Sequence, residues 1–225
     1  MSIETTEPPR RYPQLRYERP ADSTEILLVR HGESESADPD RPFPLVDGRG
    51  DPPLSARGRE QAEALAGRLA ELALDAIYVT SLRRTAQTAA PIAARLALEP
   101  TVEPGLVEVH MGEWEGGLYR KHVAEGHPLA HETFTRERWD VIPGAESNEA
   151  LGARTERAIA AIAARHCGGT VVAVAHAASI SAVLARATRS SPFAFVGADN
   201  ASISRIVVTG ERWLLRGFND TAHLR

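Results

Sequence analysis

Apolar residues in this chain alternate between short continuous runs and helical stripes. Ile26-Leu27-Leu28-Val29, Ala76-Ile77-Tyr78-Val79 and Val171-Val172-Ala173-Val174-Ala175 carry no interleaved polar positions. That is the pattern of strands buried on both faces. Between the first two runs, Ser55 is a good N-cap, and Ala62, Leu65, Ala66, Leu69 and Leu72 follow at spacings of three and four. They predict a helix reaching about Leu72 with one apolar stripe. Further helices are predicted from Leu82 to Arg95, from Glu146 to about Arg165 and from about Ala177 to Ala187. Residues 101–118 read as a short strand and a loop holding Glu108 and Trp114. Ser202–Val208 and Trp213–Gly217 predict two last strands joined by a turn at Gly210-Glu211. Alternating strands and helices argue for an α/β fold, a three-layer α/β/α sandwich with a largely parallel central sheet.

Two internal stretches escape this rhythm. Residues 33–54 form a long connection rich in Pro, Asp and Gly, of the kind that is either functional or disordered. Residues 119–145 mix helix formers with His122, His127 and His131 and end in the turn signal Pro143-Gly144. At the N-terminus, residues 1–24 hold four prolines, three arginines before Tyr17 and no apolar period. This extension is expected to drape over the surface or to be partly disordered, and it is a candidate contact with a neighbouring subunit in a homo-oligomer. A single catalytic domain is expected over residues 25–225, a length that suits one core.

Composition narrows the function classes. The chain is 43% hydrophobic and 25% charged with a net charge of −4, so no global basic field draws it to nucleic acid or anionic lipid. Any polyanion must be held by a local cluster of cations. Cys167 is the only cysteine, which excludes an intrachain disulfide. No run approaches a membrane span, and Glu4, Glu7, Pro8 and Pro9 stand where a signal peptide would be apolar. The expected compartment is the cytoplasm. Asn200-Ala201-Ser202 therefore has no meaning as a glycosylation acceptor, and Arg49-Gly50-Asp51 reads as a turn.

Candidate chemistry sits at the strand ends. Arg30-His31-Gly32 follows the first buried run, His176 follows the run at 171–175, and Ser81-Leu82-Arg83-Arg84 follows the run at 76–79. Ligands of open α/β sheets bind beyond the carboxyl ends of strands, so two histidines and three arginines can surround one crevice. A phosphate monoester is a dianion whose desolvation is costly unless it is paired. Guanidinium groups remain charged and donate two parallel hydrogen bonds to it. Neighbouring arginines also disfavour imidazolium and so keep a histidine in its nucleophilic, neutral form. A carboxylic acid is then needed to protonate the departing alkoxide, with Glu108 and Glu113 as the local candidates. His127 and His131 are four apart, but position 135 is Thr where a zinc-protease helix carries its second histidine, and no metal is expected.

Leu28-Val29-Arg30-His31-Gly32-Glu33-Ser34 resembles the signature of the histidine phosphatase superfamily, also called phosphoglycerate mutase-like. Pro53-Leu54-Ser55-Ala56-Arg57-Gly58 resembles that family's helix start. Thr80-Ser81-Leu82-Arg83-Arg84-Thr85-Ala86-Gln87-Thr88-Ala89 resembles its second arginine motif. The run from Leu106 through Glu108, Gly112 and Trp114 to Gly116 resembles its acid segment, and Val174-Ala175-His176-Ala177 its second histidine motif. Five motifs in order, spanning 26 to about 208, carry the resemblance. It implies His31 as nucleophile, with Arg30, Arg84 and His176 binding the phosphoryl oxygens. Arg84 is preferred to Arg83 because it directly precedes Thr85-Ala86-Gln87-Thr88-Ala89.

Glu108 is implied as general acid and then base, with no metal or cofactor. Ser34, Ala177, His110 and Arg120 are candidate substrate contacts, and the resemblance places the specificity-setting insertion at 117–145. Two positions depart from the family pattern: Ala37 stands where an asparagine often helps to hold phosphate, and Ala177 where glycine is usual. The implied function is hydrolysis of a small phosphorylated metabolite. A phosphomutase is the alternative, and a non-catalytic phospho-ligand or protein-binding module is the reading from another class.

Overall fold

The computed structural model describes residues 11–225; residues 1–10 of the expected extension lie outside the described residues. In chain order the elements are β1 (Thr24–Arg30), β2 (Leu45–Val46), β3 (Arg49–Gly50), α1 (Ala56–Leu69), β4 (Ala76–Val79), α2 (Arg83–Leu96) and β5 (Thr101–Val102). Then come α3 (Leu118–Ala124), α4 (Pro128–Arg136), α5 (Asn148–Arg165), β6 (Thr170–Ala175), α6 (Ala177–Thr188), β7 (Ile203–Thr209) and β8 (Arg212–Asp220). Six strands form one sheet in the order β5-β4-β6-β1-β7-β8. β1 runs parallel to β6 with Arg30 opposite Ala175, and β4 runs parallel to both β6 and β5. β7 and β8 are antiparallel additions on the far side of β1.

The unbroken apolar runs are explained by burial on both faces. Ile26 and Leu28 of β1 join Ile159 and Ile162 of α5 and Val183 of α6 in one core layer. Leu27 and Val29 point the other way, onto Leu65 and Leu69 of α1 and Ile92 of α2. Each fully buried side chain of this size contributes roughly 1.5–3 kcal/mol of transfer free energy. The result is a mostly parallel sheet between helices, the α/β/α layering expected from the alternation.

Several boundaries differ from expectation. α1 ends at Leu69, because the chain must reverse to pair Asp75 with Thr170; Leu72 leaves the stripe and is 38% exposed. α5 begins at Asn148, capped by the Ser147 hydroxyl accepting from the Ala150 N–H, so Glu146 precedes it. The long connection 33–54 contains the β2–β3 hairpin. Its turn is Asp47-Gly48, both at positive φ, the type of turn that matches strand twist. Arg49-Gly50, read as a turn, is instead the second strand of that hairpin. The unreadable stretch is two short helices, α3 and α4; His127 caps α4 and Pro128 occupies its first turn. In residues 11–23, Arg19 ties the chain to the start of β6 through the Gly168 and Gly169 carbonyls. Among the described residues, no helix is long and apolar enough to cross a membrane.

Candidate active site

The carboxyl ends of β1, β4 and β6 lie side by side, and the residues after them meet. His31 continues the β1–β6 ladder by donating its backbone N–H to Ala175 (3.0 Å). A sharp departure follows at Gly32. A Cβ there would lie 2.5 Å from the Gly58 carbonyl oxygen, and one on Gly58 would lie 1.9 Å from that of Glu33. The two glycine motifs therefore form one contact, which seats the first turn of α1 against the loop that carries His31.

Hydrogen bonding fixes the His31 tautomer. Nδ1 lies 2.7 Å from the Gly32 carbonyl oxygen, which can only accept, so Nδ1 carries the proton. Nε2 keeps its lone pair and accepts from Arg84 Nε at 3.2 Å. His31 is buried, and that burial, with Arg84 and Arg30 beside it, holds its pKa well below the ordinary histidine range. The imidazole is thereby held neutral, with the Nε2 lone pair turned to Arg84. Arg84 is buried as well, its pKa pushed down to about 10 by loss of water, and it remains charged at neutral pH. Its Nη1 donates to the Gly50 carbonyl (2.9 Å), so the β2–β3 hairpin orients it.

His176, in the N-cap position of α6, is wholly buried with its ring centroid 5.1 Å from that of His31. Its Nε2 pairs with the Thr80 hydroxyl (2.9 Å) at the end of β4, while Nδ1 has no partner among the described residues. Arg30 donates from Nη1 to the Ala198 carbonyl (2.5 Å), and its buried Nε is likewise unpartnered. Buried polar atoms rarely stay unsatisfied, so these two are hydrogen-bonding capacity that the protein leaves unused. Ala177 and Ala178 bring the first turn of α6, with its free N–H groups, to the same wall.

Glu108 approaches from the other side. Its main chain is clamped: Arg154 donates to the carbonyls of Gly105, Val107 and Glu108, and Arg49 Nε adds a second bond to Glu108 (2.8 Å). Arg154 is itself held by both oxygens of Glu146. The Glu108 carboxylate accepts only a backbone N–H, from Val109 (3.0 Å). Although part of its surface faces the pocket, withdrawal from bulk water raises its pKa above the usual carboxylate range.

A pocket of about 400 Å³ connects these groups and is lined by Arg30, His31, Ser34, Arg84, Glu108, Arg120 and Ala177 among others. Ser34 accepts from Arg120 Nη2 (2.7 Å). His176 does not line the pocket; it stands behind His31. His110 also lies outside the lining. Its Nδ1 accepts from the Gly112 N–H, and its Nε2 would lie 3.2 Å from a Cβ placed on Gly48. Ala37 belongs to an adjoining open groove with Ser36, Pro39 and Lys121. Arg83, left beside Arg84 as an alternative, pairs with Asp51 (2.8 Å) and anchors the hairpin, while Glu113 does not line the pocket. His122 and His127 stack on Trp114, which also lines the pocket, and His131 lies near the Thr135 hydroxyl.

Sequence reasoning missed Arg49, Asn200 and Tyr119 as lining residues. The Asn200 amide reaches the His31 carbonyl (2.9 Å) across 169 residues, a closure that no local pattern signals. Arg49 is different, because the Asp47-Gly48 turn signal beside it was available.

Residues 26–221 match the sequence model of the histidine phosphatase superfamily, branch 1. Phosphoserine phosphatase 1 of Hydrogenobacter thermophilus is 35% identical over 88% of this chain and 93% of its own length. A metal-independent phosphoserine phosphatase of Arabidopsis thaliana is 34% identical over 89% of this chain and 83% of its own. The solved structure of a mycobacterial glucosyl-3-phosphoglycerate phosphatase superposes with a TM-score of 0.73 at 26% identity, covering 88% of this chain and all of that one. The chain belongs to the histidine phosphatase superfamily, branch 1, and has the build of a phosphatase of that type.

Proposed function

We propose that the protein hydrolyses a small phosphomonoester through a phosphohistidine on His31. The observation that carries this reading is the His31 ring itself: Nδ1 is protonated against Gly32, and Nε2 keeps the lone pair that attacks, now accepting from the Arg84 guanidinium. In the first step Nε2 forms a bond to phosphorus while the phosphorus–oxygen bond to the alcohol breaks. The protonated Glu108 carboxyl delivers its proton to the departing alkoxide. In the second step the Glu108 carboxylate takes a proton from water, which attacks phosphorus. The nitrogen–phosphorus bond then breaks and its electron pair returns to Nε2. This divides one hard displacement into two easier ones.

Arg30, Arg84 and the first N–H groups of α6 supply the positive field that the transferring group requires, while His176, held neutral by its burial, adds at most a hydrogen bond from behind His31. Ser34, Arg120 and Ala177 line the pocket and are candidate contacts to the substrate, Ala177 at its phosphoryl end. No cofactor enters either step, in keeping with the metal-independent name of the Arabidopsis relative.

The test is turnover of p-nitrophenyl phosphate in the presence of a chelator, wild type against His31→Ala. Release of inorganic phosphate by the wild type and its loss in the variant are expected. Activity that needs added metal, or that survives in His31→Ala, contradicts the reading. Phosphate handed to a second hydroxyl of a natural substrate, with none released, would instead assign a mutase.

A further inference from the structure

The alcohol half of the substrate has its own wall, and the wall is aromatic. Five of the chain's twelve Phe, Tyr and Trp side chains line the pocket: Phe43, Trp114, Tyr119, Phe134 and Trp139. For a protein that is 5% aromatic, this is a strong local concentration. Four of them are linked ring to ring. Tyr119 lies 6.4 Å from Trp114 and 6.1 Å from Trp139, and Phe193 bridges Trp139 (4.6 Å) to Phe134 (6.1 Å). Phe134 is 47% exposed at its position in this wall, so its ring is accessible to a ligand.

Position relates the wall to the reaction. Displacement at phosphorus puts the leaving oxygen opposite His31, on the side of the acid that protonates it. Tyr119 lines the same pocket as Glu108, and burial, with the Glu108 charge beside it, pushes the phenol pKa up to about 12. The aromatic wall therefore begins where the leaving alcohol must stand.

The charged residues of the outer pocket are largely engaged by the protein. Glu115 accepts from the Met111 and Gly50 N–H groups, and Glu33 from the Ser55 hydroxyl. Arg49 donates to the Glu108 and Asp47 carbonyls, and Arg120 to Glu35 and Ser34 while covering the Phe43 ring. A zwitterionic amino-acid alcohol would have to share donors and acceptors that already bond to the protein. An apolar ring needs only the open aromatic faces, which favour offset or edge-to-face contact.

We infer that the preferred substrates are phosphomonoesters whose alcohol carries an apolar ring, seated on the wall formed by Tyr119, Trp139 and Phe134. This rests on the phosphatase reading above and refines its substrate. The experiment compares kcat/KM for ethyl phosphate, 2-phenylethyl phosphate and O-phosphoserine. The first two leaving alcohols are of similar acidity and differ by the ring. The phenyl ester is expected to exceed ethyl phosphate by about ten-fold or more, and to exceed O-phosphoserine. In Phe134→Ala, a change at a half-exposed position, the ratio of phenylethyl to ethyl is expected to shrink several-fold. Equal values for the two alkyl esters, O-phosphoserine as the best of the three, or an unchanged ratio in Phe134→Ala would each overturn the inference while leaving the phosphatase reading intact. Turnover of none of the three would overturn both.

Discussion

His31 and Glu108 both lose contact with bulk water, and the loss acts on each in the same electrical sense: it disfavours the charged form. The histidine is held neutral because its pKa falls, and the carboxyl is held neutral to higher pH because its pKa rises. These are the states that a nucleophile and a general acid need at the start of one cycle. The sign of the pH dependence follows. In the proposed mechanism Glu108 acts first as an acid, so kcat/KM for an alkyl phosphate is expected to be retained below its raised pKa and to fall as pH climbs through it. Protonation of His31 enters only well below the ordinary histidine range. Glu108→Gln should remove the alkaline limb and lower kcat/KM by about 10²–10⁴ for alkyl esters. The loss should be smaller for p-nitrophenyl phosphate, whose leaving group needs no proton. A pH–rate profile on both substrates reads this, and an alkaline limb that persists in the variant excludes Glu108 as its source.

The residues at the strand ends were legible because each directly follows a buried apolar run. Asn200 and Tyr119 were not, since their place in the site depends on long-range closure; His110, expected among the substrate contacts, packs elsewhere.

Between residues and fold stand a few short-range devices that position the chemistry. Gly32 and Gly58 touch so closely that neither tolerates a Cβ. Gly58→Ala is expected to cost about 1–3 kcal/mol or more by overpacking against the Glu33 carbonyl, read as a lowered Tm in a thermal melt. A Tm equal to wild type would show that the α1 turn and the His31 loop are not rigidly joined. On the opposite side, the Glu146–Arg154 pair and Arg49 hold the Glu108 main chain. Arg154→Ala is expected to reduce kcat/KM for alkyl phosphates by about ten-fold or more and for p-nitrophenyl phosphate much less, because it acts through the acid. An equal loss on both substrates would point to general disruption instead.

At this scale the sequence spoke unevenly. Ser55 announced α1 correctly, and Ser147 was the better cap for α5 than the start taken at Glu146. The Asp47-Gly48 turn was readable and went unused. The helices α3 and α4 were obscured because their apolar residues face a satellite core with Trp114 and Ile142 rather than the sheet, which breaks the expected stripe.

For the whole molecule, the decisive feature is strand order. Placing β6 between β4 and β1, all parallel, delivers His31, His176 and the Thr80–Arg84 segment to one edge. The sequence gives the runs and their ends, and it supports a parallel sheet through the alternating helices. The neighbour relations come from the packing of α1 and α2 on one face and α5 and α6 on the other. The account stands on this edge serving one reaction at one nitrogen. The most direct measurement is to mix the protein with a phosphomonoester, quench within the first turnover under denaturing, alkaline conditions, and map the modified residue by mass spectrometry. A single acid-labile, base-stable phosphoryl group on His31, absent from His31→Ala, is the predicted result. Product release with no phosphoryl group on His31, or its appearance on another residue, would contradict it.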